Sequence, residues 1–263
     1  MTAGTSGPST TDGNAGRGPL LSVVNSIRVL EAFTVVEPSL GVNEIARRVD
    51  LHKSTVSRIL GTLQDADLVE RDEASGRFQL GIGVIGLAGP LLAHLDVRRI
   101  AYPALEALTE ATGETAALCL WSGHESIVVE QVPSPRQVKH TTPLGTRFAK
   151  SASASVKVFL AEQSEAEVAR LLRQGLVEST PLGSDELRER LAQISKAGYA
   201  VNDGETDPEE LSISAPVYDH RNSVVAAVLL SAPRSRMSSF LLDDHIQRVR
   251  EMAERISARL GSG

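Results

Sequence analysis

The chain has 263 residues, a formal net charge of −6 and 41% hydrophobic residues, with aromatics at only 3%. That length predicts about two domains, with cores built mainly from Leu, Val, Ile and Ala. No apolar run approaches the ~18–20 residues that cross a bilayer, and the single cysteine, Cys119, excludes an internal disulfide and a cysteine-built metal site. Residues 1–20 are rich in Gly, Ser and Thr and lack the apolar core of a secretory signal, so they read as a flexible tail on a cytoplasmic protein.

In chain order, Val23, Ile27, Leu30 and Phe33 predict a supporting helix over about 22–36, ended near Pro38. Val42, Ile45, Ala46 and Val49 predict a second helix, and Asp50-Leu51-His52 breaks its period. A third begins near Lys53, with Ser54 as its expected N-cap and Val56, Ile59, Leu60 and Leu63 as its buried stripe. Its other face carries Lys53, Thr55, Ser57 and Arg58, hydroxyls and cations that suit phosphates and base edges in a major groove. Residues 68–71 and 77–80 then read as a hairpin turning at Gly76. Three helices and a hairpin wing make a winged helix-turn-helix, a module that ordinarily binds duplex DNA. Its expected contacts are Arg58, Thr55 and Ser57 toward the bases. Lys53, Ser54, Arg47, Arg48 and the wing's Arg77 are expected on the phosphates.

The overall charge does not favour a nucleic-acid partner, but its distribution does. Residues 20–83 hold seven Lys/Arg and nine Asp/Glu, whereas 45–60 hold Arg47, Arg48, Lys53 and Arg58 against Asp50 alone. One confined basic strip suits docking as a pair on a palindromic operator.

Residues 82–95 are almost wholly apolar and predict a linker helix that also pairs subunits. Asp96 is placed to cap a helix running to about 112. From Gly113 the pattern becomes mixed α and β. Strands are expected at 115–121, 126–132, 138–142, 199–202, 211–218 and 224–231. Helices are expected at 153–162, from Ser164 to about 173, from Ser184 to near Gly198, and at 242–260. The class is therefore α+β, with an antiparallel-rich sheet covered by helices.

The joint order of SVVNSIRVLEAF, GVNEIARRVDLHKSTVSRILGTLQDADLVE, RFQLGIGVIGLAG, ATGETAALCL, GYAVNDGE and APVYDHRNSVVAAVLLSAP resembles the IclR-type bacterial transcriptional regulators over about residues 22–261. Behind the compositionally disordered tail at 1–20, the resemblance implies a winged helix-turn-helix DNA-binding domain at 21–82, a linker helix at 83–96 and a GAF-like effector-binding domain at 97–263. It also implies a homodimer that can pair into a dimer of dimers. The effector positions it carries over are His140, Phe148, Ala154, Ser155, Asn202, Ser212, Leu229 and Ser231. The Lys of the family's helix-start motif is kept as Lys157, while Ala149, Ser151 and Val156 replace its Pro, His and Gly. Asn202 stands where some relatives carry Asp, so this set holds no acid, and a small carboxylate or aromatic ligand is expected against the free amides of Ala154 and Ser155.

The expectation is a DNA-binding regulator, a repressor whose operator binding answers to a small organic acid, with no cofactor and no metal. Two other readings remain open: an enzyme with a fused DNA-binding domain, and a redox or metal sensor using Cys119 and histidines. No G-x-S-x-G, Walker loop or H-E-x-x-H occurs, and His94, His124 and His140 are scattered without metal spacing. Cys119, amid Ala116, Ala117, Leu118 and Leu120, reads as core.

Overall fold

The computed structural model describes residues 19–93, 96–141, 143–179 and 184–262. The tail expected at 1–20 lies outside them except for its last two residues. The chain divides into two compact units after Pro90.

The first unit holds α1 (Leu21–Glu31), α2 (Val42–Val49), α3 (Lys53–Asp65) and the hairpin β1 (Val69–Arg71) and β2 (Phe78–Leu80). Val29, Ile45, Val49, Val56, Leu60, Leu63, Val69 and Phe78 form its core. On α2 and α3 the buried residues are the apolar positions of the helical period; at and just after α1 they are Val29, Ala32 and Phe33, while Val23 and Ile27 of the expected stripe are exposed. α1 is shorter than expected. It stops at Glu31, because Thr34 and Glu37 close a turn on each other through Thr34 N–H to Glu37 O (3.2 Å) and Glu37 N–H to Thr34 Oγ1 (3.0 Å). Asp50 makes the sharp turn between α2 and α3 in the left-handed region, at φ 51°. Ser54 is not the N-cap of α3. His52 is, and its Nδ1 accepts the Ser54 N–H at 3.3 Å and lies 2.8 Å from the Ser54 hydroxyl. Imidazole nitrogen can serve here because it is an acceptor when neutral.

α4 covers Gly83–Ala93, where the linker helix was expected, and residues 94–95 lie outside the described residues. No helix among the described residues is long and apolar enough to cross a membrane.

The second unit is a six-stranded sheet in the order β5-β4-β3-β8-β7-β6, every pairing antiparallel. Its strands are β3 (Thr115–Trp121), β4 (Ser126–Val132), β5 (Arg147–Phe148), β6 (Ala200–Asp203), β7 (Glu210–Tyr218) and β8 (Val224–Pro233). One face packs on α5 (Asp96–Thr112) and α9 (Ser239–Arg259) through Leu118, Ile213, Val228 and Leu230. The other packs on α6 (Ala154–Ala161), α7 (Glu165–Arg173) and α8 (Ser184–Ala197) through Ala117, Cys119, Ala227 and Leu229. Alternate residues of one strand thus serve different cores. The strand expected at 138–142 is absent at 138–141, while residue 142 lies outside the described residues; the third hairpin strand is instead β5. Segment 138–141 is held from the side, through the Thr115 hydroxyl to His140 O (2.6 Å) and Arg236 to Val138 O (2.8 Å), rather than by a ladder.

Glycine matters most where the wing returns to α3. A Cβ at Gly81 would lie far inside van der Waals contact of the Asp67 carbonyl oxygen, and one at Gly83 would meet the same oxygen at 2.7 Å. Both neighbours are backbone, held by Gly81 N–H to Leu68 O and Gly83 N–H to Asp67 O. Gly81→Ala is expected to cost about 1–3 kcal/mol, the usual penalty of overpacking. Thermal denaturation checks it; an unchanged midpoint would mean that the backbone at Asp67 yields freely.

Candidate functional site

The first candidate surface is the exposed side of α3. Lys53, Ser54, Ser57 and Arg58 are exposed and Thr55 is half-buried, while Val56 and Leu60 beneath them are inaccessible. Among the described residues, Lys53 and Arg58 have no ion pair and no side-chain hydrogen bond, so their charge is available to a partner. Arg47 is exposed beside Glu44, whose carboxyl is held below its usual range first by the Gly41 N–H and then by Arg77 and Arg47.

Two of the expected phosphate contacts are committed inside the unit. Arg48 pairs with Glu37 and donates to Ala32 O at 2.6 Å. Arg77 donates to Ser39 O at 2.8 Å and to Glu44 at 2.7 Å. Sequence spacing places a cation on a surface but does not say which carboxylate it meets.

The second candidate is a row of polar side chains across four strands. Thr115 of β3 is paired with Ser231 of β8, Ser231 with Ser212 of β7, and Ser212 with Asn202 of β6. Strand alternation turns all four to the face that α6 covers, one step along from Ala117, Leu229 and Ser214. Of the expected effector residues, Ala154, Ser155, Asn202, Ser212, Leu229 and Ser231 are each at most 3% exposed.

Their hydrogen bonds differ. Asn202 is fully occupied. Its Oδ1 accepts from Glu205 N–H (2.9 Å) and Thr206 N–H (3.3 Å), and its Nδ2 donates to Thr206 Oγ1 (2.5 Å) and Ser212 Oγ (3.4 Å). Ser155 Oγ accepts from Ser126 Oγ at 2.9 Å. Among the described residues the hydroxyls of Ser153 and Ser231, both buried, have no side-chain hydrogen bond, and the N-cap of α6, Ser153, makes no capping bond. A buried helix start without a cap leaves N–H groups facing inward, the arrangement that accepts an anionic oxygen.

His140 and Phe148 sit at the margin. His140 donates from Nε2 to Glu209 O at 3.3 Å, and Phe148, half-buried on β5, packs into the α6-side cluster.

The expected set itself holds no acid, but one stands beside it. Glu210 lies two residues before Ser212, on the same face. Burial pushes its carboxyl above the usual range, Asp207 adds to that, and His140 and the Ser212 hydroxyl oppose it. Strand alternation from Ser212 was the signal that would have found it. Lys157 was also left out of the expected set. It is 2% exposed and donates to Val201 O (2.8 Å) and Glu205 (2.5 Å), while Arg190 braces the same carboxylate at 3.1 Å. Burial lowers the Lys157 ammonium and Glu205 opposes that.

Cys119 is inaccessible beside Ser126 and Ser155, and burial pushes its thiol up to about 12. A thiol in that state has almost no thiolate and so little redox reactivity near neutral pH. Among the described residues no three His, Cys, Asp or Glu gather in a group that could hold a metal ion.

A winged helix-turn-helix joined to a helix-covered antiparallel sheet with a buried polar row defines a DNA-binding regulator with a separate sensing domain. Residues 22–73 match the IclR helix-turn-helix domain, and residues 90–258 match the bacterial transcriptional regulator IclR C-terminal domain. The chain belongs to the IclR family of bacterial transcriptional regulators. It is 31% identical over 239 residues to the HTH-type transcriptional repressor AllR of Escherichia coli K12, covering 89% of this chain and 88% of that one. Its fold is similar to an IclR transcriptional regulator from Alicyclobacillus acidocaldarius, at 27% identity and a TM-score of 0.76 over 94% of this chain and all of that one. It is also similar to an IclR homolog complexed with 4-hydroxybenzoate from Microbacterium hydrocarbonoxydans, at 23% identity and a TM-score of 0.75, covering 91% and 98%.

Glu210 gives a pH dependence with a definite sign. Its folded-state pKa is raised, so between its ordinary value and the raised one the folded chain holds more protons than the unfolded chain. Stability should therefore fall as pH rises from about 4.5 through that window. Glu210→Gln is expected to remove this loss, seen in urea denaturation at a series of pH values. A wild-type decline that persists in the variant would assign it elsewhere.

Proposed function

We propose that this chain is a one-component repressor that binds a palindromic operator as a dimer and responds to a small organic acid held beneath α6. The observation that carries the DNA half is the exposed face of α3, where Lys53 and Arg58 have no internal partner among the described residues. Thr55, Ser57 and Arg58 face base edges; Lys53, Ser54 and Arg47 hold phosphates. The bonds of Arg48 and Arg77 run inward, and Glu37 and Glu44 pair their charges. Exposed Val23, Ile27, Ile82, Ile85 and Leu87 supply apolar surface that a second copy would cover. Such a protein acts where the chromosome is, in the cytoplasm.

The test is binding to a duplex selected by the full-length protein from a random library, two chains per duplex. Arg58→Ala is expected to cost about 1–3 kcal/mol and change base preference. Lys53→Ala should weaken all sequences alike and reduce the salt slope by about one. Unaltered binding by Arg58→Ala would remove α3 from the groove.

For the sensing half, the support is the uncapped start of α6 beside the hydroxyls of Ser153 and Ser231. A ligand carboxylate would take the amides of Ala154 and Ser155, with Phe148 and Leu229 against its apolar body. His140, Ser212 and Ser231 would give it direction, and Asn202 would act through the loop it anchors. Glu210 refines the ligand: an acid beside Ser212 of the row favours a hydroxyl or amine there over a second carboxylate. Ligand and DNA would then be coupled by preferring different arrangements of the chain.

Titration calorimetry with 4-hydroxybenzoate and with terephthalate tests this. The hydroxy acid is expected to bind more tightly. Ser155→Pro, which removes one amide donor, should weaken it by about tenfold, one charge-assisted hydrogen bond. Equal affinity in Ser155→Pro and wild type would move the ligand away from α6.

A further inference from the structure

The wing is too short to hold itself. β1 and β2 have three residues each, and an isolated two-stranded hairpin is marginal in water. It is instead laced to the start of α2. Leu40 and Phe78 exchange backbone bonds, Leu40 N–H to Phe78 O at 2.9 Å and Phe78 N–H to Leu40 O at 2.8 Å, so that residue 40 acts as a third strand. Next to this bridge Arg77 donates to Ser39 O (2.8 Å) and to Glu44 Oε2 (2.7 Å), and the same oxygen accepts the Gly41 N–H (2.7 Å). Leu40 and Phe78 are buried in the core that α2 and α3 share. At the other end the wing closes on itself, with Asp72 Oδ1 accepting from Ser75 N–H at 2.6 Å and from its hydroxyl at 2.8 Å.

We propose that Glu44 and Arg77 are positioning residues: their ion pair fixes the wing to the helix-turn-helix, so that wing and α3 meet duplex DNA as one rigid surface. Glu44 is the informative partner. An acid beside a DNA-binding face repels phosphate, so removing it would tighten binding if charge were all that mattered. If it positions the wing, removing it weakens binding. Glu44→Gln separates the two, because the amide oxygen still accepts the Gly41 N–H while the charge that holds Arg77 is gone.

Full-length wild type, Glu44→Gln, Arg77→Gln and the double variant are to be titrated across a salt series against the same selected duplex. Amide hydrogen exchange at Leu40 and Phe78 is followed without DNA. Both single variants are expected to lose affinity by roughly five- to tenfold, as for one charge-assisted bond, with the wild-type salt slope. The double variant should be no worse than either single, and exchange at Leu40 and Phe78 should quicken in all three. Tighter or unchanged binding by Glu44→Gln, losses that add in the double variant, or a salt slope lowered by about one in Arg77→Gln would each overturn the proposal. Should Arg77→Gln not fold, the direction in which Glu44→Gln moves affinity decides alone.

Discussion

β8 can pair with β3 and β7 only if helices cover both of its faces, and the larger unit is organised around that constraint. From Ala226 to Pro233 the strand is buried throughout, its even-numbered residues against α5 and α9 and its odd-numbered ones against α6, α7 and α8. A strand buried on both sides reads as a continuous apolar run, and VVAAVLLSAP is one. Ser231 interrupts the run. A hydroxyl in the middle of a sheet costs stability unless it is bonded, and among the described residues it has no side-chain bond. Together with Ser153 it marks where the core gives up packing, which is where proteins ordinarily place function.

The same reasoning separates the other buried polar groups. Ser214 donates to Val228 O at 2.9 Å, and Ser257 donates to Ala253 O at 2.8 Å, so both are satisfied and need no ligand. Asn202 looks like a recognition residue in the sequence, yet three bonds commit it to the turn after β6 and a fourth to Ser212. Lys157 and Glu205 tie α6 to that same turn. Lys157 is buried, so loss of its Glu205 partner would leave a buried ammonium with one carbonyl acceptor, a costly state that favours the turn in place. A ligand at the α6 start would feel this network through position rather than through contact.

Much of this was legible because periodicity is physical. The apolar stripes of α2 and α3 needed no tertiary information, and the bounds expected for β3 and β4 are those found, since each strand lies between turn residues. What the sequence hid was pairing between distant polar groups. Arg77 meets Glu44 across 33 positions, and Arg236 clamps Glu114 across 122. The missing strand at 138–141 belongs to the same class of error: local alternation suggested a ladder, but side chains from β3 and the 3-10 turn after β8 hold the segment. His52 as the cap of α3 was not legible, because imidazole nitrogen is an uncommon acceptor in that position. Glu210 was readable, since strand alternation from Ser212 places it on the same face.

A net charge of −6 and a DNA-binding face are compatible because several acids in the first unit are spent on structure. Glu37 and Glu44 hold Arg48 and Arg77, and Asp72 closes the wing turn. Glu37 and Glu44 lend rigidity while neutralising cations that would otherwise bind phosphate without regard to sequence, and Asp72 lends rigidity alone. What remains outward is Lys53 and Arg58 on one helix and Arg47 beside them, with Arg28 and Arg71 exposed elsewhere in the unit. So few free cations make for weak non-specific binding, because that binding scales with the number of phosphates neutralised. Selectivity then has to come from shape, from the angle at which α3 and the wing are held. An acidic chain that reads DNA therefore depends on its internal ion pairs more than a basic one does.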